Sequence, residues 1–245
     1  MLQRLRRLFG SAGGETVAAN ETQAASPDKV MVDGYESFLL SEHLSRHNDF
    51  PILDWAAVDA WLREAIPDDK QAVAWGDCER AWLLHFRASL GETFYLHEGP
   101  TAVVVSSLSE PEVRAMLQYM ERTLKRVAAV LEGIAVPPPW GKDLLIAFDD
   151  QQQYYDYVSY YYPESGEFAF SGGMHINAGC SHYVTLKSDL RSMETVLAHE
   201  MTHGCLSHLP IPMWLNEGLA VNTEQRLVGK SPELHTPEQI QRKHR

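Results

Sequence analysis

The residues with the clearest chemical potential lie in one short stretch near the end of the sequence. His199 and His203 are four positions apart, and Glu200 directly follows the first of them. Side chains four apart on a helix lie on one face, with their Cβ atoms about 5–6 Å apart. Both imidazoles can therefore bind the same metal ion, and the Glu200 carboxylate can point at a water molecule on that ion.

A third ligand has to come from elsewhere, because catalytic zinc usually takes three protein ligands and leaves one position for water. Glu217 is the candidate. Pro210 and Pro212 are expected to end the helix that carries the histidines. A second helix over residues 214–226 would then return along the first and bring Glu217 to the histidine pair.

A third histidine, His208, is a weaker candidate for this role. It follows His199 by nine positions, which places it about 180° around a helix from that residue. We therefore interpret His208 as a surface or packing histidine.

The histidine pair, followed by the stretch Trp214-Leu215-Asn216-Glu217-Gly218-Leu219-Ala220, resembles the gluzincin metallopeptidases. The likeness covers about residues 143–226 and is strongest to the zinc aminopeptidase branch, although the spacing is closer to small bacterial members. It implies an α+β fold, with a mixed sheet whose edge strand lies next to the active-site helix. It also implies that His199, His203 and Glu217 bind Zn²⁺, and that Glu200 is the general base when a metal-activated water hydrolyses a peptide bond.

The resemblance extends to residues around the ligands. The segment 174–179 is the candidate substrate-binding edge strand, with Asn177 and Ala178 as substrate contacts. An oxyanion donor is expected after the glutamate ligand, where His235 is the candidate. An upstream tyrosine, or a C-terminal part absent from this sequence, are the alternatives. Four further residues are candidates for positions around the ligands, with Glu194 or Glu224 orienting a ligand histidine: Thr202, Asn216, Glu194 and Glu224.

The composition of the chain argues against two possibilities, nucleic-acid binding and membrane insertion. The formal charge of −12 argues against non-specific binding to nucleic acid, and no apolar run is long enough for a transmembrane segment. The three cysteines cannot all pair within one chain, which favours a reducing cytoplasm. Cys180 and Cys205, near the proposed site, are interpreted as buried hydrophobic residues, with a redox or zinc-inhibitory role as the alternative.

The chain divides into three predicted parts. Residues 1–30 are predicted to be a disordered tail, 31–136 an N-terminal α/β region, and 140–245 the catalytic domain, with the triple proline at 137–139 as the boundary. In the second part we predict a helix over 52–65 and short strands within 71–105. A long helix is predicted from the capping-box pattern of Ser109 and Glu112 to Gly133.

In the third part we predict a strand over 144–148 and a tyrosine-rich helix over 151–162. Extended segments are predicted at 168–170, 174–177 and 183–186, before the histidine-bearing helix begins near Asp189. A zinc peptidase acting on peptides or proteins is the leading hypothesis. Two others remain: a non-proteolytic or degenerate zinc-binding domain that recognises peptides, and an unrelated enzyme in which the histidine pair is accidental.

Overall fold

The computed structural model describes residues 25–162 and 172–229, which form an α+β fold around a mixed sheet. These two ranges contain seven helices: α1 (Leu40–His43), α2 (Trp55–Ala65), α3 (Asp68–Leu90), α4 (Glu110–Val130), α5 (Gln151–Tyr161), α6 (Leu190–Leu206) and α7 (Met213–Val228). They also contain nine strands: β1 (Lys29–Val30), β2 (Phe38–Leu39), β3 (Leu44–His47), β4 (Phe50–Leu53), β5 (Tyr95–Glu98), β6 (Ala102–Ser106), β7 (Asp143–Phe148), β8 (Gly173–Ala178) and β9 (Cys180–Leu186).

The central sheet has five strands in the order β5-β6-β7-β9-β8. Its three middle strands are parallel, while β5 and β8 run antiparallel to their neighbours. Strands β1 and β2, and strands β3 and β4, form two separate antiparallel pairs. Among the described residues β8 is therefore an edge strand, with β9 on one side only.

Helices cover both faces of the sheet, and this explains why the middle strands β6 and β7 are apolar on both faces over most of their length. On β7, Leu144, Ile146 and Phe148 face a core built with α2, α3 and α5, while Leu145 and Ala147 face a core built with α4 and α6. The alternation follows from the two-residue period of a strand. The second core is the one on which the histidine-bearing helix rests.

One prediction for this region is wrong. Residues 71–86, expected to form short strands, belong to the single helix α3. Its C-terminal half is enclosed on most sides, so that Ala81, Trp82, Leu83 and Leu84 are all buried. A continuous apolar run does not distinguish a buried strand from a buried helix, because the helical period is hidden when every face is apolar.

Most other predicted elements are confirmed. Helix α2, strand β7, helix α5, strand β8 and the capping box at the start of α4 lie where they were expected. The segment 168–170 and most of the predicted N-terminal tail lie outside the described residues. The last two residues of that tail, Lys29 and Val30, form β1 because Val30 packs into the core.

The sheet crosses the boundary that was placed at the triple proline. Strand β6 comes from the range 31–136 and pairs in parallel with β7 from the range 140–245. Helix α4, from the first range, also shares a core with α6, from the second. The two ranges therefore share one sheet and both of its cores.

The described helices and cysteines bear on two further expectations. None of the described helices combines the length and apolar character needed to cross a bilayer. Cys78, Cys180 and Cys205 are all buried, and none of the three forms a disulfide. Burial raises the pKa of Cys78 to about 12, reinforced by the charges of Asp77 and Glu79, so this thiol is not a reactive thiolate.

A buried histidine makes the stability of the fold depend on pH. The ring of His182 donates from Nδ1 to the Cys180 carbonyl at 2.9 Å and accepts at Nε2 from the Tyr157 hydroxyl at 2.8 Å. Burial lowers the pKa of His182 to about 4, only partly opposed by the bond to Cys180. A histidine in the unfolded chain has a pKa near 6.5. As the pH falls from about 6.5 to 4, His182 therefore becomes protonated in the unfolded chain but stays neutral in the folded chain.

We expect this histidine to remove about 1.4 kcal/mol of unfolding free energy for each pH unit below about 6.5, levelling off near pH 4. The unfolding free energy of the His182→Gln variant should fall less steeply with decreasing pH, because this variant lacks the contribution of His182. The measurement is urea unfolding of both proteins at pH 7, 6 and 5. Equal slopes for the parent and the variant would show that His182 titrates normally in the folded protein.

Candidate metal centre

Helix α6 presents two different faces because its apolar residues recur every four positions. Asp189 caps its start by accepting a hydrogen bond from the Ser192 backbone N–H at 3.1 Å. The residues that pack on the sheet form one buried stripe: Met193, Leu197, Met201 and Cys205. His199 and His203 therefore lie on a different face, which is turned away from that core.

Two glycines let this helix lie close against the sheet. A Cβ atom at Gly204 on α6 would overlap the hydroxyl of Tyr183 on β9. A Cβ atom at Gly173 on β8 would overlap the side chain of Val196. The close approach brings the histidines on α6 near the edge strand β8.

Helix α7 returns along α6 after a short turn, as the two prolines predicted. Pro212 occupies the position before its first residue, and Pro210 lies in the turn. The Glu217 carboxylate then reaches both histidines, with Oε2 3.4 Å from Nε2 of His199 and Oε1 3.4 Å from Nε2 of His203. The three side chains, which the sequence proposed as ligands, form a cluster whose candidate ligand atoms lie within 4.8 Å of one another.

Each histidine is held by a second partner at its other ring nitrogen. Nδ1 of His199 lies 3.2 Å from Oε2 of Glu224, and Nδ1 of His203 lies 3.0 Å from Oδ1 of Asn216. Both acceptors come from α7, so the same helix supplies Glu217 and orients both rings. Such partners fix the tautomer with the proton on Nδ1, which leaves Nε2 to bind a metal.

The charges around His199 are strongly coupled. Burial lowers its pKa, but hydrogen bonds to Glu217 and Glu224 outweigh burial and raise the pKa to about 10. Without a metal, the His199 ring is therefore protonated on both nitrogens, with Glu217 at Nε2 and Glu224 at Nδ1. A metal ion that bound at Nε2 would take the place of the proton there and keep the positive charge that the carboxylates favour.

The donor set and spacing suit zinc. Two imidazoles and one carboxylate are the ligands of a common type of catalytic zinc site. Ligand atoms about 2.0–2.1 Å from a tetrahedral zinc ion are about 3.3 Å apart. The two nitrogen–oxygen distances of 3.4 Å are close to this value, each measured to a different oxygen of the Glu217 carboxylate.

Comparison of this chain with family models, curated proteins and solved structures finds no match. The arrangement of side chains must therefore be interpreted by its own chemistry.

Glu200 does not lie among the ligand atoms but reaches the edge strand. Its Oε2 accepts a hydrogen bond of 2.7 Å from the backbone N–H of His175, in the middle of β8. The N–H of Leu186 bonds to the carbonyl of Gly172, which places residues 172, 174 and 176 in the positions bonded to β9. The backbone groups of His175 therefore point to the outer edge of the sheet, where Glu200 meets them.

The buried side chain of His175 was not predicted from the sequence. This side chain is buried; its Nε2 lies 2.8 Å from Oγ of Ser181, and its ring packs on Tyr183. Burial lowers the pKa of His175 to about 3, and the charges of His203 and His182 add to the effect. The alternation over 174–177 places His175 on the face opposite Met174 and Ile176, but it does not show that α6 covers that face.

The remaining predicted residues have mixed placements. Asn177 and Ala178 are exposed at the end of β8. Thr202 is buried and bonds to the Ala198 carbonyl at 2.8 Å, within its own helix. The backbone carbonyl of Glu194 accepts a hydrogen bond of 2.6 Å from the Tyr119 hydroxyl. His208 is exposed just beyond α6, and His235 lies outside the described residues.

Replacing each of three glutamates near the histidines by alanine should lower the zinc affinity to a different extent. Glu217→Ala removes a ligand and should weaken zinc binding most. Glu224→Ala removes only the partner of the His199 ring, a change that typically costs about 10–100-fold in metal affinity. Glu194→Ala, elsewhere on α6, should leave the affinity unchanged. Competition titrations with a chromogenic zinc chelator would measure the order, and a larger loss for Glu224→Ala than for Glu217→Ala would disqualify Glu217 as the third ligand.

Proposed function

We propose that this protein is a zinc-dependent peptidase of the gluzincin type. The observation that carries the proposal is the double orientation of the histidine pair. Glu224 and Asn216 hold the two Nδ1 atoms, so that both Nε2 atoms face one carboxylate, that of Glu217. A partner at Nδ1 alone would not distinguish this pair from a structural histidine, since His182 also has a partner at each ring nitrogen. The distinguishing feature is that both Nε2 atoms lie 3.4 Å from the same carboxylate.

The proposed roles follow from these positions. His199, His203 and Glu217 would hold the zinc ion, which when bound lowers the pKa of a coordinated water to about 7. Glu200 lies beside His199 in sequence and carries a carboxylate that is not one of the clustered ligand atoms. Its Oε2 would accept a proton from the attacking water and then donate it to the nitrogen of the leaving amine.

Strand β8 offers a place for the substrate backbone. Among the described residues it is an edge strand, and at His175 the carbonyl points outward while the N–H is bonded to Glu200. An extended peptide can bind such an edge by adding one more strand. The peptide bond that lies opposite His175 would then be the one nearest to Glu200.

The test combines metal analysis with turnover in one preparation. The purified protein should contain about one zinc per chain and hydrolyse a quenched peptide library, and a chelator should abolish both. A protein that binds zinc and peptides but hydrolyses nothing would instead support the non-proteolytic alternative. A protein without zinc affinity would contradict both hypotheses.

A further inference from the structure

A cleft of about 430 Å³ lies beyond the metal centre, at the end of the edge strand. Its lining comes from five places in the described sequence: helix α2, helix α3, the segment around the triple proline, the β8–β9 hairpin, and the residues just after α6. The ligand residues are not part of this lining. The cleft is of the size of a small-molecule or side-chain pocket.

Two elements lead from the metal centre to this cleft. Along β8, Asn177 follows His175 by two residues, or about 6.7 Å, and Asn177 lines the cleft. Along α6, Ser207 follows His203 by four residues, or about one helical turn of 5.4 Å, and Ser207 also lines it. A peptide that paired with β8 at His175 would therefore place a side chain near the cleft within one or two residues.

Two tryptophans form part of the cleft wall, and contacts with neighbouring residues hold them in place. The rings of Trp75 and Trp140 lie 6.0 Å apart at a tilt of 54°, and Trp75 also packs on Trp55 at 5.1 Å. The indole N–H of Trp75 donates to Oε1 of Glu79 at 2.7 Å. Glu79 also accepts a bond of 3.1 Å from the backbone N–H of Lys142. These contacts set the position of the Trp75 ring before any ligand arrives.

The chain bends at Gly141, between Trp140 and Lys142, which both line the cleft. Gly141 has a φ of +72°, and a Cβ atom there would overlap the Glu79 carboxylate. The three prolines before Trp140 form the rest of this wall. Because proline fixes its own φ angle, this wall is stiff.

The cations that line the cleft are already engaged. Arg63 pairs with Asp59 at 2.9 Å, and the ammonium group of Lys142 lies 2.6 Å from a Glu98 oxygen. An acidic ligand would have to compete with Glu98 for the partly buried Lys142, whereas the exposed pair of Arg63 and Asp59 offers it little resistance. Tilted indole rings and proline faces instead suit a flat apolar group, since aromatic pairs prefer tilted or offset contacts at centroid distances of about 4.5–7 Å.

We infer that this cleft, hereafter the tryptophan cleft, binds an aromatic side chain of the peptide substrate. The inference rests on the proposed peptidase function, because it takes the peptide direction from β8. It assigns Trp140 and Trp75 as residues that determine specificity, without any contact to the reacting atoms.

The test compares pairs of quenched peptides that differ only in Phe or Ala at one position on either side of the cleaved bond. At one of these positions the zinc-loaded parent should prefer Phe by on the order of tenfold in kcat/KM, as a filled apolar pocket gives. Trp140→Ala should lose this preference by slowing the Phe peptide alone. Trp61→Ala, which removes a half-buried tryptophan outside the cleft, should keep it.

One further variant and one binding measurement test the cleft assignment independently of the peptidase assignment. Trp140→Leu keeps an apolar side chain without a ring and should behave like Trp140→Ala even if the alanine variant is unstable. Binding of the same peptides to the Glu200→Gln protein, followed by fluorescence anisotropy, does not require turnover. A preference for Phe that depends on Trp140 in binding, with no hydrolysis by the parent, would support the cleft and contradict the peptidase. Hydrolysis with a Phe preference that survives both Trp140 variants, or a cleft-dependent preference for Arg or Lys, would overturn the cleft assignment alone.

Discussion

The Glu200→Gln variant is expected to keep its zinc and its fold but to hydrolyse peptides about 10²–10⁴-fold more slowly, the usual cost of losing a general base. Glutamine can still accept the hydrogen bond from the His175 N–H, so the contact between α6 and β8 is preserved. It cannot accept a proton from water at neutral pH. The loss should therefore appear in kcat, with the metal content unchanged.

Glu194→Gln is the matched control for this experiment, because it makes the same substitution on the same helix, and its described contact is through the backbone carbonyl. Zinc content and peptide turnover should be measured on the same preparations of all three proteins. Turnover by Glu200→Gln near the parent rate would remove Glu200 from the role of base.

The second large effect concerns the histidines themselves. His199→Ala and His203→Ala should each reduce bound zinc from about one ion per chain to almost none, since two protein ligands rarely retain catalytic zinc. The His199 variant also leaves Glu217 and Glu224 facing each other without the ring that lies 3.4 and 3.2 Å from their oxygens. We therefore expect it to be the less stable of the two in the absence of metal.

His208→Ala provides the comparison, because this exposed histidine lies just beyond α6 and outside the ligand cluster. Metal analysis after dialysis against a weak chelator would measure all four proteins. Full zinc in either ligand variant, or loss of zinc in His208→Ala, would show that the metal binds elsewhere.

Local signals in the sequence were sufficient for the elements around the site. Asp189 caps α6 and the prolines at 210 and 212 separate it from α7, and these signals act within a few residues. Helix α3 was mistaken for strands because its environment is set by distant segments. Trp82, for example, donates its indole N–H to the carbonyl of Pro51, 31 residues away.

The same distinction applies to the site. The spacing of His199 and His203 and the position of Glu217 could be interpreted from one stretch of sequence. The choice of Glu224 over Glu194 as the partner of His199 depends on the packing of α7 against α6, which spacing alone did not decide. The tryptophan cleft was beyond reach of any local pattern, because Trp75 and Trp140 are 65 positions apart and meet only through the fold.

The parallel pairing of β6 with β7 limits how far the protein can be shortened. A chain that began after Pro139 would retain α6 and α7, which carry the candidate ligands, but would lose the strand that hydrogen-bonds to one side of β7. Leu144, Ile146 and Phe148 would lose the cover of α3 at the same time. An uncovered apolar strand with unpaired backbone groups is a template for aggregation. The candidate metal site could therefore not be transferred to another protein by itself, because β7 would need a new partner strand and new apolar residues to cover it.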